Sequence, residues 1–345
     1  CILKAVDEHA DLLRVSAADV GNDQRLGGHE APPAIISVFL GEQLEDVLDQ
    51  IIENGEATHS KKGEKFATGV KTLPDFRKDA TDRNRTSPFA FTGNKFEFRM
   101  LGSQDSLSNC NVVLNTIAAE AFCEACDRLE KADDFDKALN ELIVEYAINH
   151  KRIIFSGNGY SEEWQKEAAR RGLPNLPTMV DAIPALTTDK SVNMFEQFKV
   201  FSKAELESRA EIQYEIYAKA INIEAKTMID MATKQIIPAV IRYTTVLADS
   251  INSVKNAGSF DVSAQEQILG KTSSLLAATN VALNNLKSLT SQIEVKEEGV
   301  ERARYCLDVI MPAMTELREP VDKLEMLVDK EMWPMPSYGD LIFII

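Results

Sequence analysis

The hydrophobic pattern after residue 203 constrains the fold most, because it is helical almost throughout. Leu269, Leu276 and Leu283 repeat every seven residues, which is the spacing of a helical packing seam. Residues 300–330 carry apolar side chains at spacings of three and four. The pattern predicts long amphipathic helices packed against each other in antiparallel fashion, as a helical extension rather than a catalytic core.

Start and stop signals punctuate this helical pattern. Residues 202–205 and 263–266 both have the Ser-x-x-Glu spacing of a capping box, which opens a helix. Pro238 should kink or end the first helix, because proline has no backbone N–H and its ring crowds the preceding turn. The last residues, 333–345, form an apolar tail that we expect to dock onto the body of the protein.

The chain before residue 203 has a different character. Short strand-like runs alternate there with loops and helices, at residues 34–40, 89–91, 95–100 and 152–155. We therefore predict an α+β class for the whole chain. Its predicted divisions are residues 1–203, residues 204–332 as the helical extension, and residues 333–345 as the tail.

Composition excludes several classes of protein. A formal net charge of -16 argues against nucleic-acid binding, and no apolar run approaches the roughly 20 residues that span a bilayer. Five scattered cysteines indicate a reducing compartment, so we expect a cytoplasmic protein. Cys123 and Cys126 form a CxxC inside a helical stretch, where we expect buried thiols rather than a metal site. Because the first residue is Cys1 and not Met, we expect the chain to begin inside a longer gene product.

Three segments carry side chains suited to chemistry, and the first is residues 22–33. Paired glycines and prolines there bracket a mobile or tightly turned loop that contains Arg25 and Glu30. Such a loop could close over a ligand and bring a carboxylate to it. A surface turn with a solvated ion pair is the alternative.

The second segment ends a basic window. Residues 61–85 contain eight Lys or Arg and four Asp or Glu, a local charge of +4 that includes Arg83 and Arg85. A cationic patch in an acidic protein suits an anionic ligand such as a polyphosphate. A solvated basic loop is the alternative.

The third segment, residues 89–100, reads as a β-hairpin around a Gly-Asn turn. Period-two alternation places Lys95, Glu97 and Arg99 on one face and aromatic side chains on the other. Carboxylate oxygens suit Mg²⁺ and the flanking cations suit phosphate, so this face fits nucleotide chemistry. An exposed sheet face is the alternative.

In this order, the three segments resemble the latter part of the active site of a type III glutamine synthetase. The resemblance is carried by NDQRLGGHEAPPAIISVFLG, DRNRTSPFAFTGNKFEFR, SNCNVVLNTIAAEAF, VFSKAELESR and the terminal WPMPSYGD, and it covers essentially the whole chain. It implies the C-terminal part of the catalytic domain, an antiparallel sheet with helices, followed by a helical extension typical of this type.

The resemblance also implies roles for individual residues. Arg25 matches the arginine that holds substrate glutamate, and Glu30 matches the loop glutamate that closes the site and takes a proton from ammonium. Arg85 lies in the NR-[ST] motif whose arginine contacts the nucleotide phosphates.

The strand motif adds further roles. Glu97 matches a ligand of one catalytic metal, Arg99 matches a substrate- and phosphate-facing arginine, and Lys95 is an additional phosphate contact. Other types have a second arginine shortly after the NR-[ST] motif, which is absent here. Its role would fall to Arg83 or Lys95, or be missing.

By this resemblance the expected reaction is the ATP-dependent ligation of ammonia to L-glutamate through γ-glutamyl phosphate, with Mg²⁺ or Mn²⁺, in nitrogen assimilation. The expected assembly is a homo-oligomer, a dodecamer of two stacked hexameric rings. The family's other metal ligands lie upstream of this segment, so we expect the chain alone to be inactive. The alternatives are a γ-glutamyl ligase for another amine, and a structural or assembly module.

Overall fold

The computed structural model describes residues 1–28, 31–60 and 87–343, together with the backbone of residues 65–66 and 76–77. The chain divides into two compact units, Cys1–Ala210 and Glu211–Ile345. The domain limits predicted from the sequence, after residues 203 and 332, stay predictions.

The first unit opens with three short helices and ends within a long one. Its described helices are α1 Ile2–Glu8, α2 Ala10–Ser16, α3 Val20–Arg25, α4 Glu42–Asn54, α5 Leu107–Leu129, α6 Phe135–Asn149, α7 Glu162–Arg170, α8 Met179–Ala182, α9 Asp189–Gln197 and the start of α10 Lys203–Met231. Six of the helices before α10 are preceded by a capping residue. The side-chain oxygen of that residue accepts a hydrogen bond from a backbone N–H of the first helical turn, which has no partner within the helix. These capping residues are Asp19, Ser106, Asp134, Ser161, Thr178 and Thr188.

A small mixed sheet lies in the same unit. The described strands are β1 Val38–Phe39, β2 Lys65–Phe66, β3 Phe76–Arg77, β4 Phe89–Phe91 and β5 Phe96–Phe98. The three-stranded sheet has the order β1–β4–β5, with β1 parallel to β4 and β4 antiparallel to β5, while β2 and β3 form a separate antiparallel pair. The predicted α+β class is thus confirmed in outline, but the expectation of an antiparallel sheet was wrong at β1.

Two of the predicted strands, at residues 34–40 and 95–100, are shorter than their sequence suggests, since β5 contains only Phe96–Phe98, and the strand predicted at residues 152–155 was wrong. Only Val38 and Phe39 of residues 34–40 form a strand, and Ile35 makes an isolated bridge. Residues 152 and 153 lie in a 3₁₀ turn, Lys151–Ile153, and Ile154 makes only an isolated bridge. The 3₁₀ turn follows α6 after one residue, so the local helical conformation outweighs the strand preference of the β-branched residues.

The core of the first unit is built around α5, which packs against α1, α2, α6 and α9. Leu12, Leu13, Ile117 and Phe195 are at most 1% exposed there. α5 confirms the helix predicted around the CxxC, but Cys123 is half-buried and Cys126 is exposed, so the expectation of buried thiols was wrong.

The second unit is helical in its described part. It contains the rest of α10, then α11 Ile237–Ala257, α12 Ser263–Thr290, α13 Val300–Tyr305, α14 Met311–Glu325 and α15 Tyr338–Ile342. α12 packs against both α11 and α14. Leu283 is buried as its heptad position predicts, whereas Leu269 and Leu276 are half-buried. The fully buried Thr272 and Thr279 share this packing and were missed because they are polar.

Prolines interrupt the long helices of this unit. A π-helical turn at 232–236 precedes Pro238, and a second at 306–310 precedes Pro312. A proline cannot donate the usual backbone hydrogen bond, and a wider turn accommodates the break. α10 ends at Met231, before Pro238, which is one of the two outcomes predicted for that proline, and the helical pattern of residues 300–330 is likewise divided.

One of the two predicted capping boxes is present. The Ser202 N–H donates to Glu205 Oε2 at 2.8 Å, and the Glu205 N–H donates to Ser202 Oγ at 3.4 Å. The box predicted at Ser263 and Glu266 was wrong, since Asp261 accepts the N–H of Ser263 and Glu266 pairs with a lysine instead.

The predicted docking of the tail holds for only part of it. Trp333 and Met335 pack against a buried cluster that includes Val240 and Leu324. Leu341, Ile342 and Phe343, by contrast, are more than half exposed. Within the described residues, no helix has both the length and the apolar character needed to cross a bilayer.

Candidate functional site

The β4–β5 hairpin presents the charged face that its alternation predicts. Glu97 Oε2 accepts hydrogen bonds from Arg99 Nη2 at 2.9 Å and Nε at 3.2 Å, and Lys95 Nζ lies 3.5 Å from Glu97 Oε1. Hydrogen bonding from Arg99, with the positive charge of Lys95, lowers the pKa of Glu97 below its ordinary value. Glu97 is therefore ionised at neutral pH.

Aromatic rings support this hairpin from its other face. The Phe89 and Phe96 rings stack with their centroids 5.4 Å apart, and Phe98 lies 6.2 Å from Phe89. Such contacts fix the strand register, and a shift of one residue would turn the charged side chains to the opposite face. The predicted separation of charged and aromatic faces is confirmed.

Arg25 reaches the end of this hairpin from α3. Its Nη2 donates to the Met100 carbonyl at 2.6 Å, and its Nε donates to Asn22 Oδ1 at 2.9 Å. We predicted residues 22–25 as part of a loop, but they are helical because Asp19 caps α3 by accepting the N–H of Gly21 at 2.9 Å.

The loop after Arg25 is tightly closed at its base. Leu26 and Ala31 are bridged, and the Gly27 N–H donates to the Pro32 carbonyl at 3.0 Å. Gly27 has a φ of 77°, which favours glycine over residues with a Cβ. These ends agree with the tight-turn prediction, while Glu30 lies outside the described residues. Arg83 and Arg85 also lie outside them.

Arg25 and Arg99 come together in one small cavity of about 70 Å³. The remaining side chains of this arginine cavity are mostly apolar, and the full lining is Arg25, Leu26, Ala31, Pro32, Ser87, Pro88, Arg99 and Met100. The Arg99 N–H donates to the Pro88 carbonyl at 2.7 Å, which holds the strand end against the wall. Guanidinium groups bind carboxylate and phosphate oxygens through paired N–H donors, so this cavity suits an anionic group. Lys95 and Glu97 do not line it.

Asp23, which the sequence reading passed over, anchors α3. Both of its carboxylate oxygens accept the Met179 N–H at 2.8 Å, and its Oδ1 lies 3.4 Å from Nη2 of the buried Arg14. Burial raises the pKa of Asp23 to about 6, although these hydrogen bonds oppose the shift. Its position two residues before Arg25 in the sequence does not indicate that its side chain is buried.

Asp105 also belongs to the surroundings of Arg25. Its Oδ2 accepts the Gly102 N–H at 3.1 Å. Burial and the negative charge of Asp19 raise its pKa, whereas the positive charge of Arg25 opposes that rise. The charge of Arg25 is thus partly balanced by acidic side chains nearby.

A divalent cation would find few ligands among the described residues. No group of three or more His, Cys, Asp or Glu in that part of the chain is placed to hold a metal. Glu97 can supply one carboxylate, but Arg99 and Lys95 already engage its two oxygens. The described residues therefore fit at most one edge of a metal site.

A more open depression of about 470 Å³ lies elsewhere in the first unit, next to α4. None of the predicted site residues lines it. The cations at its wall are already paired, for example Lys151 with Asp49 at 2.8 Å and Arg171 with Glu167 at 2.6 Å. Arg99 of the arginine cavity is paired as well, with Glu97, so what distinguishes the depression is that it lacks the residues whose pattern predicted an anion site.

Comparisons with known proteins support the resemblance seen in the sequence. The family profile described as the glutamine synthetase C-terminal domain matches residues 138–255. The chain is 39% identical over 353 residues to the type-3 glutamine synthetase of Dictyostelium discoideum, covering 99% of this chain and 48% of that protein. It is 39% identical over 348 residues to a glutamine synthetase of Butyrivibrio fibrisolvens, covering 99% of this chain and 49% of that protein.

A glutamine synthetase of Bacteroides fragilis is 35% identical over 355 residues, which is 99% of this chain and 48% of that protein. The chain thus spans about half the length of the curated relatives it matches. Its similarity covers the hairpin, the loop after Arg25 and the helical unit alike. The chain belongs to the glutamine synthetase family, as its resemblance to the type III enzymes predicted.

Proposed function

We propose that this chain is the C-terminal part of a glutamate–ammonia ligase, and that its arginine cavity receives a carboxylate of L-glutamate. The observation that carries the proposal is the meeting of Arg25, from the end of α3, and Arg99, from the end of β5, in one small cavity. Family membership supports the choice of glutamate over other anions.

The reaction that we propose proceeds through γ-glutamyl phosphate. A carboxylate is a poor acyl donor, and ATP bound with Mg²⁺ or Mn²⁺ supplies the phosphoryl group that activates it. Arg25 would hold and orient glutamate, while Arg99 would stabilise negative charge near the reacting carboxylate. Glu97 would contribute one oxygen ligand to a metal, and its ion pairs with Arg99 and Lys95 would keep these cations in place.

Three further roles rest on the family resemblance. Glu30 would accept a proton from ammonium and close the site against water. Arg85 would contact the nucleotide phosphates, and Arg83 or Lys95 would supply the additional cation that other types place after the NR-[ST] motif. We also propose a cytoplasmic location, which the five free cysteines support, and a homo-oligomer, a dodecamer of two stacked hexameric rings by the same resemblance.

Arg25→Ala in the full-length protein tests the proposal. Loss of a charge-assisted contact should raise the KM for glutamate by about 10- to 100-fold and leave the KM for ATP nearly unchanged. Arg128→Ala is the matched control, because Arg128 forms a surface ion pair with Glu145 away from the cavity. An unchanged KM for glutamate in Arg25→Ala would remove the cavity from substrate binding.

The amine specificity needs its own measurement. Product formation with ammonia and with alkylamines, compared in the same preparation, distinguishes glutamine synthesis from ligation of another amine. We expect glutamine as the main product, and a preference for an alkylamine would contradict that.

A further inference from the structure

Asn22 makes an unusual set of contacts at the cavity. Its side chain is 2% exposed, and both of its polar atoms have partners. Nδ2 donates to the Ala17 carbonyl at 2.7 Å and to the Met100 carbonyl at 3.0 Å, while Oδ1 accepts from Arg25 Nε at 2.9 Å. A primary amide offers two N–H donors and a carbonyl acceptor, so both donors are used and the oxygen accepts one hydrogen bond.

The Met100 carbonyl is the anchor that α3 and the hairpin share. It accepts from Asn22 Nδ2 at 3.0 Å and from Arg25 Nη2 at 2.6 Å. Met100 directly follows Arg99, the other arginine of the cavity, and is itself 1% exposed. The position of Arg25 relative to Arg99 is therefore fixed through one buried backbone oxygen, that of Met100. Asn22 attaches the same oxygen to α3 by a second hydrogen bond.

The contacts of Asn22 also restrict how Arg25 can rotate. Asn22 holds Nε and the Met100 carbonyl holds Nη2, so one edge of the guanidinium is attached to the protein. A guanidinium carries five N–H groups in a planar fork, and the described contacts use two of them. The N–H groups of the opposite edge are left for a ligand in a defined orientation.

Other residues hold α3 in place independently of Asn22. Asp19 caps its first turn, and Asp23 ties it to Met179 and Arg14. An asparagine inside a helix is intrinsically unfavourable, because its side chain competes for backbone hydrogen bonds. What Asn22 adds is a hydrogen bond to Arg25 Nε and a second contact, beside that of Arg25 itself, with the Met100 carbonyl.

We propose that Asn22 is a positioning residue that orients the Arg25 guanidinium for a substrate carboxylate. The inference deepens the proposed function and rests on it, since it requires Arg25 to bind glutamate. Without the Nε contact, Arg25 would still carry its charge but would sample several rotamers. Glutamate binding would then be weaker, because it would include the entropic cost of ordering the Arg25 side chain.

A double-mutant cycle in the full-length protein tests this role. Asn22→Ala should raise the KM for glutamate about 10-fold, the effect of one charge-assisted hydrogen bond, and change the KM for ATP less than twofold. In the Arg25→Ala background the same substitution should raise the KM for glutamate no further. A purely structural residue would give effects that add.

Two more variants complete the experiment. Gln50→Ala is the matched control, because Gln50 is a buried amide with several contacts on α4 away from the cavity, and its loss should leave the KM for glutamate unchanged. Arg25→Lys approaches the same question with Asn22 intact, should Asn22→Ala fail to fold. Lysine keeps the charge without the Nε donor, so its KM for glutamate should approach that of Arg25→Ala.

The outcomes separate the inference from the proposed function. If Arg25→Ala raises the KM for glutamate but Asn22→Ala does not, or if the two effects add, the positioning role is wrong and the cavity assignment stands. A wild-type KM in Arg25→Lys would likewise overturn it. If Arg25→Ala itself has no effect on this KM, the proposed function fails and the inference fails with it.

Discussion

The charged site of the first unit and the helices of the second unit are held together in different ways. The site depends on contacts between distant parts of the chain, such as Asn22 with Met100 and Arg14 with the Leu176 carbonyl. In the second unit, apolar seams between neighbouring helices dominate, and ion pairs such as Arg318 with Asp322 link one helical turn to the next. The local sequence therefore determines the helices of the second unit, whereas the contacts of the site form only when distant segments of the chain fold together.

This contrast has an energetic side. Buried polar groups must be paired, so removing one partner in the first unit leaves a desolvated group behind. Exposed ion pairs along a helix contribute little, because water screens them and their side chains lose entropy. We therefore expect substitutions to have their largest effects where distant polar residues meet.

The largest expected effect concerns catalysis by the 345-residue chain itself. Among its described residues no group of three or more His, Cys, Asp or Glu is placed to hold a metal. Glu97 is the one carboxylate that the family resemblance assigns to a metal, and one carboxylate binds Mg²⁺ weakly. We expect the isolated chain to form no glutamine from glutamate, ATP, Mg²⁺ and ammonium, while circular dichroism still reports the helices of the second unit. Normal turnover, in a preparation free of host synthetase, would mean that the site does not depend on residues outside the chain.

The next effect is on the stability of the first unit. Arg14 is 1% exposed, donates to the Leu176 and Pro177 carbonyls, and pairs with Asp23. Arg14→Ala leaves Asp23 buried without its cation, which should cost about 3–5 kcal/mol of unfolding free energy. Urea denaturation measures the loss.

Arg318→Ala is the control for Arg14→Ala. Arg318 is an exposed residue of α14 whose pair with Asp322 is local, and we expect no measurable change in stability. Equal losses in the two variants would contradict the contrast between the units.

The same division, between local and long-range contacts, separates the features that the sequence predicted correctly from those that it did not. The β4–β5 hairpin and the break at Pro238 were predicted correctly, because alternation and proline act over a few residues. The parallel pairing of β1 with β4 was missed, because the paired residues lie 51 positions apart in the sequence and nothing local specifies their direction.

Within the candidate site, the residue types were predictable but their partners were not. The charged face of Lys95, Glu97 and Arg99 follows from period-two alternation. The meeting of Arg25 with Arg99 was not predicted from spacing, because it depends on how α3 packs against the end of β5. Nothing in the sequence distinguishes Asn22 from other polar residues. Its role was proposed only from its contacts with the Met100 carbonyl and Arg25 Nε.

A pH effect provides a smaller test of the first unit. The pKa of Asp23 is about 6 in the fold and near 3.8 when unfolded, so the folded state binds more protons between these values. Lowering the pH from 7 to 5 should therefore stabilise the protein through this group, by about 1 kcal/mol. Asp23→Asn cannot titrate and should lack this gain. Urea midpoints of both proteins at the two pH values measure it, and identical pH dependence would show that Asp23 is already ionised at pH 5.

The last expected effect lies in the second unit, is similar in size to the pH effect, and has the opposite sign to that of Arg14→Ala. Thr272 is fully buried on α12, and its Oγ1 has no hydrogen-bond partner among the described residues. Thr272→Val replaces the hydroxyl with a methyl group of similar shape, and helix propensity barely changes. Removing an unpaired buried hydroxyl should stabilise the protein by about 1 kcal/mol.

Thr279→Val is the matched control one heptad later, because the Thr279 hydroxyl donates to the Leu275 carbonyl at 2.9 Å and its loss should bring no gain. Thermal unfolding of the two variants decides the point. If Thr272→Val destabilises the protein as much as Thr279→Val or more, the Thr272 hydroxyl has a partner, and the second unit depends on buried polar contacts as the first does.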